Sequence, residues 1–157
     1  MYKKILVPLD GSKLAECALP YVEELAKGCD TEEVILVSVT ERVRGYRAFE
    51  DPSQSLGQQL VPEAVGKKEK QAQRYLGRIA KAMEAMGIKV STEVLLWEPA
   101  EAIVGYTKQY GCVLIVMASH GRSGLSRWTH GSVADRVFRG SPVPVLMVRA
   151  PGCVTGI

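Results

Sequence analysis

Short apolar runs alternate with helical segments along the whole chain, and that alternation limits the fold more than any other feature. The runs Lys4–Leu9, Glu33–Thr40, Val90–Leu96, Cys112–Ala118 and Val143–Val148 are rich in branched residues and too short for helices. Each reads as a buried strand. Between the first two, Leu14, Cys17, Ala18, Tyr21, Val22 and Leu25 repeat at helical spacing until Gly28. Pro20 falls inside this helix, and the apolar stripe continues past it, which predicts a kink rather than a break. Ala72, Tyr75, Leu76, Ile79, Met83 and Met86 mark an amphipathic helix over about Glu63 to Met86, stopped by Gly87. Pro99–Tyr110 opens with Pro in its first turn and ends at Gly111, and Ser132–Arg139 forms the last helix. Residues 41–66 are irregular in pattern, and a connection of that length is as a rule functional or mobile. The order β-α-β-α-β-α-β-α-β implies an α/β fold, a parallel sheet of five strands with helices on both faces. With 157 residues the chain suits a single domain over 1–150, with 151–157 as a flexible C-terminal tail.

The composition excludes several classes of function. Apolar residues make up 46% and charged residues 24%, as in an ordinary globule. A net charge of +3 with 6% aromatic residues gives no basic stripe with interleaved aromatics, so no nucleic-acid partner is expected. No apolar run approaches the ~18 residues of a membrane span, so no membrane partner is expected either. Cys17, Cys29, Cys112 and Cys153 form no C-x-x-C pair, and the only histidines are His120 and His130, which disfavours a structural zinc site. The cysteines read as buried or idle thiols of a reducing compartment. Met1-Tyr-Lys-Lys enters a strand at once without a signal-peptide core, so the expected location is cytoplasmic.

In an open parallel sheet, ligands bind beyond the carboxyl ends of the strands, where the strand order reverses. Three segments end there if the first strand is central: Pro8-Leu-Asp-Gly-Ser12, Ser38-Val-Thr40, and the stretch from Ala118 to Ser132. The third is the most informative. An apolar strand stops at Ser119, and Gly121, Gly124 and Gly131 then punctuate a polar, basic loop before a helix start at Ser132. Glycines let a backbone approach a ligand, and the free amides of a helix N-terminus point at an anion. No Gly-Lys-Ser/Thr phosphate loop and no G-x-G-x-x-G fingerprint occurs.

The loop resembles the nucleotide loop of the universal stress protein family, G-x-x-G, nine residues, then G-[ST]. Gly121, the nine residues Arg122 to His130, and Gly131-Ser132 fit its second half, while Ala118 stands in place of the first glycine. The resemblance extends to Lys3-Lys-Ile-Leu-Val-Pro-Leu-Asp-Gly-Ser12, Val34-Ile-Leu-Val-Ser-Val39, Leu114-Ile-Val-Met117 and Pro142-Val-Pro-Val-Leu-Met-Val-Arg149. It implies a Rossmann-like sheet of order 3-2-1-4-5 and a homodimer formed through the fifth strands, 143–148 here. It also implies ATP as ligand, with Mg²⁺ or Mn²⁺ carried by the phosphates. The implied contacts are Asp10 to the nucleoside, the backbone of Val39 to adenine, and Gly121, Gly131 and Ser132 to the phosphates. Pro8, Ser12, Met117, Ala118, His120, Arg122 and Val133 complete the expected nucleotide site.

Each of these residues also has a plainer reading. Asp10 is either a turn residue or a ligand residue, and the loop match favours the ligand role. A general base needs a substrate proton in reach and an orienting partner, and the sequence offers His120 neither. No catalytic residue is therefore assigned. Trp128 reads as packing, and Lys67-Lys-Glu-Lys70 as a solvated helix face. The expectation is a homodimeric, ATP-dependent regulator in stress response, with protein partners unidentified and hydrolysis slow at most. A nucleotide-free dimeric interaction module is the alternative; Ala118 and the polar Thr129-His130 favour it, and the intact spacing opposes it. Enzymes of adenylate chemistry on similar sheets carry S-G-G-x-D-S or H-I-G-H, and neither occurs here.

Overall fold

The computed structural model describes residues 1–40, 63–96, 98–119 and 131–149. Its elements follow as β1 (Lys4–Pro8), α1 (Lys13–Glu16), α2 (Leu19–Gly28), β2 (Glu33–Thr40), α3 (Glu63–Glu84), β3 (Val90–Leu96), α4 (Pro99–Tyr110), β4 (Leu114–Ser119), α5 (Gly131–Gly140) and β5 (Val145–Arg149). The sheet has five strands in the order β3-β2-β1-β4-β5, with every pairing parallel. This is the expected α/β architecture. The tail 151–157 and most of the irregular connection 41–66 lie outside the described residues.

Side-chain alternation along the strands separates two cores. Ile5 and Val7 of β1 join Leu36 of β2 against Leu76 and Met83 of α3 and Val22 of α2. Leu6, between them, turns to the other face with Ile35, Ile115, Ile103 of α4 and Val137 of α5. A period of two on central strands, apolar in both phases, demands cover on both faces, and the crossover helices supply it.

The structure corrects the helix after β1. It is broken, not kinked. Pro20 has no N–H to give to the carbonyl of Glu16, and its ring would crowd that carbonyl. The chain resolves this by ending α1 and placing Pro20 in the first turn of α2, where no donor is needed.

Two strand starts also differ from the sequence pattern. The N–H of Cys112 donates to Thr107 O (3.1 Å) and so closes the end of α4, so β4 begins only at Leu114. That end depends on Gly111, whose φ of 65° is open to glycine at little cost. Before β5, Pro142 and Pro144 carry no N–H for a ladder, and Ser141 Oγ instead accepts from the N–H of Val143 (3.1 Å). The ladder starts at Val145, although Pro144 O still accepts from Ile115 N (3.0 Å).

Of the cysteines within the described residues, Cys29 and Cys112 are free thiols, and burial pushes the Cys112 thiol pKa up. Cys17 is disulfide-bonded, a departure from the idle thiols expected of a reducing compartment. Among the described residues no helix is long and apolar enough to cross a membrane.

Candidate functional site

The site forms where β1 ends. Leu9 N still donates to Val37 O (2.8 Å), so the chain leaves β1 in step with β2. Asp10-Gly11-Ser12 then reverses it. Gly11 takes φ of 87°, which a side chain would strain. Asp10 Oδ1 accepts from Ser12 N (2.9 Å), and Ser12 Oγ accepts from Ala15 N (3.1 Å), capping α1. One carboxylate oxygen of Asp10 thus builds the turn. The other makes no hydrogen bond or ion pair among the described residues, and the residue is exposed. Asp10 is therefore both a turn residue and an available ligand group.

Beside this turn lies a cavity of about 270 Å³ on the face covered by α4 and α5. Pro8 and Asp10 from the end of β1, Val39 from β2, Met117 and Ala118 from β4, and Val133 from α5 all line it. These residues come from four segments that are distant in sequence, and all belong to the expected site. The remaining wall is apolar, so the cavity is a greasy slot with one carboxylate at its rim. Ser12 does not line it, because its hydroxyl serves the α1 cap. Gly131 and Ser132 open α5, whose first amides have no partner within the helix. The partial positive charge of that end lies beside Val133, at the edge of the cavity. His120, Gly121 and Arg122 lie outside the described residues, as do Arg127, Trp128 and the Thr129-His130 pair.

Ala118 had been the main departure from the glycine pattern. It follows the buried part of β4, which ends at Met117, and among the described residues Asp30 is the only non-glycine with positive φ. The backbone at 118 therefore has an ordinary strand angle, and the methyl group introduces no strain.

Pattern reading missed part of the wall. Leu14 and Ala15 of α1, and Pro99 and Ile103 of α4, also face the cavity. A signal for them existed. A helix that follows a parallel strand starts at the carboxyl edge of the sheet, so the first turns of α1 and α4 had to stand near the ligand end. Helical periodicity marked Ile103 as core-facing but could not say that this stretch of core borders a cavity. Arg136 of α5 bridges to Glu98 (3.9 Å) and Glu101 (3.5 Å) of α4, tying together the two helices of this wall. These groups are half exposed or more, so the bridges add little stability.

Comparison with known proteins agrees with this geometry. The model of the universal stress protein family matches residues 1–149. The universal stress protein MJ0531 of Methanocaldococcus jannaschii is 35% identical over 153 residues, covering 96% of this chain and 84% of that protein. The solved structure of MJ0577, also from Methanocaldococcus jannaschii, superposes with a TM-score of 0.75 at 31% identity, covering 97% of this chain and 99% of that one. A universal stress protein family structure from Arabidopsis thaliana with AMP bound shares the fold at 15% identity and a TM-score of 0.63, covering 96% and 93% of the two chains. A family match over residues 1–149, together with a fold shared along almost the full length of solved structures of that family, means that this chain belongs to the universal stress protein family.

Proposed function

We propose that the chain binds ATP in the cavity beside Asp10 and acts as a homodimeric, nucleotide-dependent regulator in stress response. The observation that carries this reading is the convergence of Pro8, Asp10, Val39, Met117, Ala118 and Val133 on one slot at the sheet's carboxyl edge. Its volume of about 270 Å³ suits the base and part of the ribose rather than a whole nucleotide. The phosphates then extend along the N-terminus of α5 and the Gly121 to Ser132 loop, where backbone amides meet their charge. The second oxygen of Asp10 accepts from a ribose hydroxyl. Among the described residues no three His, Cys, Asp or Glu side chains gather to ligate a metal. Mg²⁺ or Mn²⁺ in this reading arrives with the phosphates. Among the described residues no base is positioned to activate water, and hydrolysis in this reading is slow at most. The cytoplasm is the proposed compartment.

Isothermal titration with ATP and Mg²⁺ tests the proposal. The expected result is binding with micromolar Kd. Asp10→Asn, which keeps an acceptor for Ser12 N but loses the charge, weakens it about tenfold, and Asp10→Ala weakens it further by also opening the turn. No heat from the parent protein, together with no displacement of a fluorescent ATP analogue, rejects the reading.

The dimer is proposed through β5. This strand ends the sheet, and Leu146 is exposed on it while Val145 and Met147 are only partly buried. An apolar edge with unpaired backbone groups seeks a second strand, and two identical edges close into a two-fold pair. Light scattering over a concentration series should report a dimer for the parent and a monomer of 17.1 kDa for Leu146→Lys. A parent that stays monomeric up to about 100 μM overturns the dimer while leaving ATP binding standing.

A further inference from the structure

Glu16 is a buried carboxylate that lines no part of the nucleotide slot. It ends α1, and only 9% of its side chain is exposed. Its two oxygens are shared between two helices. Oε2 accepts from Lys13 Nζ of α1 (3.1 Å), and Oε1 lies 3.6 Å from Arg78 Nη2 of α3. The Arg78 guanidinium also lies over the Tyr75 ring, 5.7 Å from its centre. Burial first, and then the charge of Glu16, raises the pKa of the Tyr75 phenol, which therefore stays protonated beside this carboxylate.

The helix that carries Glu16 needs an anchor. α1 has four residues, and the break before Pro20 cuts it off from α2. A single helical turn fixes many dihedrals for few hydrogen bonds and does not persist alone. Its i to i+4 bond, from Glu16 N to Ser12 O, is 3.4 Å long, at the weak end for a backbone pair. Yet this turn sets the rim of the slot. Ser12 N donates to Asp10 Oδ1 (2.9 Å), Ser12 O accepts from Glu16 N, and the Glu16 carboxylate meets Arg78 of α3. A continuous series of polar contacts thus runs from α3 to the one carboxylate at the slot's edge.

A charge buried this far is not needed for stability, because an apolar side chain of similar volume fills such a place about as well. What the carboxylate adds is direction. It faces one cation on its own helix and one on α3, so it fixes how α1 sits against α3. We propose that Glu16 is a positioning residue for the nucleotide site, on whose reading this rests: by tying α1 to α3 it holds the Asp10 turn in the arrangement that meets the ribose.

The test compares Glu16→Met, Glu16→Gln and Arg78→Ala with the parent, by ATP titration and by amide exchange of the ¹⁵N-labelled full chain. Met keeps the volume and removes the charge. Arg78 is exposed, so its substitution keeps the test valid if a change at Glu16 disturbs the core. ATP should bind about tenfold more weakly to Glu16→Met and about threefold more weakly to Arg78→Ala, with Glu16→Gln between them. The Ser12 and Ala15 amides should exchange faster in all three, while those of Leu36 and Ile115 in the sheet stay slow. In an Asp10→Ala background, Glu16→Met should cost ATP affinity less than about twofold, since no carboxylate is left to position. A merely structural role would give full additivity instead. Parental ATP affinity in Glu16→Met and Arg78→Ala, or additivity with Asp10→Ala, overturns the proposal. A parent that binds no ATP rejects the nucleotide reading; Ser12 exchange then decides whether Glu16 holds the turn, and parental exchange in Glu16→Met overturns that as well.

Discussion

Gly131→Val should lose ATP binding by more than a hundredfold while keeping a native circular dichroism spectrum. Gly131 is the first residue of α5, and Val133, two residues on, already lines the cavity beside Asp10. Phosphates in the proposed pose therefore meet the backbone at 131 and 132. A Val side chain at the first of these puts branched carbon atoms where the anion must reach the amides. Each charge-assisted bond lost there is worth about 1.5–3 kcal/mol, and the pose cannot give up two of them and keep measurable affinity. The fold does not depend on this residue, because both cores are built from strand and helix residues elsewhere, such as Leu6, Ile115 and Val137 on the nearer face. The control is Ser141→Ala, which alters a turn at the other end of α5 and should bind ATP as the parent does. Equal affinity of Gly131→Val and parent would remove the phosphates from this end of α5, and with them the ATP reading.

Much of this was legible from residues alone, for identifiable reasons. Strands 33–40 and 90–96 and the helix Pro99–Tyr110 lie where the apolar pattern puts them. Their boundaries are set by local chemistry, as at Gly111, where a left-handed residue ends a helix in any context. Strand ends flanking β4 and β5 were less legible. Whether Cys112 joins a ladder depends on Thr107 reaching it from the preceding helix, and a window along the sequence does not see that bond. The break at Glu16–Leu19 was misread because periodicity records which face is buried, not whether one axis carries it. Two short helices can present one stripe.

The cavity shows the same division. Asp10 could be named because it sits at a strand end, and the sheet's topology sends strand ends to one edge; Val39 and Met117 came from the family resemblance. Pro99 and Ile103 needed a crossover geometry that no short motif encodes. A second cavity, of about 370 Å³, bordered by Asp10, the end of β2, and Lys68 and Tyr75 of α3, was invisible to motif reading altogether. Lys68 had been assigned to a solvated face, and Tyr75 to an apolar stripe. Both assignments are locally sound, since Lys68 is exposed and Tyr75 packs against the core. What they omit is that Asp10 and the end of β2 stand across from that face, a fact carried by tertiary placement alone.

Leu36→Ala should be the most destabilising of the single changes considered, and it offers a way to read ligand binding without a label. Leu36 is fully buried in β2, paired in register with Val7 on one side and Thr92 on the other. Its side chain joins the core with Leu76 and Met83 of α3. Removing it leaves a hole that rigid neighbours on both strands cannot close, at a cost of about 2–5 kcal/mol. For a domain of this size the midpoint of thermal unfolding falls by about 10 °C. The site stays intact, because Leu36 lines neither cavity. A ligand that binds only the folded chain then restores stability by mass action. ATP at about 100 times its Kd should return roughly 2.7 kcal/mol, most of the deficit. Adding Gly131→Val to Leu36→Ala should abolish that rescue without lowering the midpoint much further, since Leu36 packs in the core under α3 and Gly131 opens α5 on the other face. Calorimetry of the four proteins with and without ATP and Mg²⁺ checks both halves. A drop of less than about 1 kcal/mol in Leu36→Ala would contradict the packing described for β2. Rescue that persists in the double variant would mean that ATP stabilises the fold from somewhere other than the N-terminus of α5.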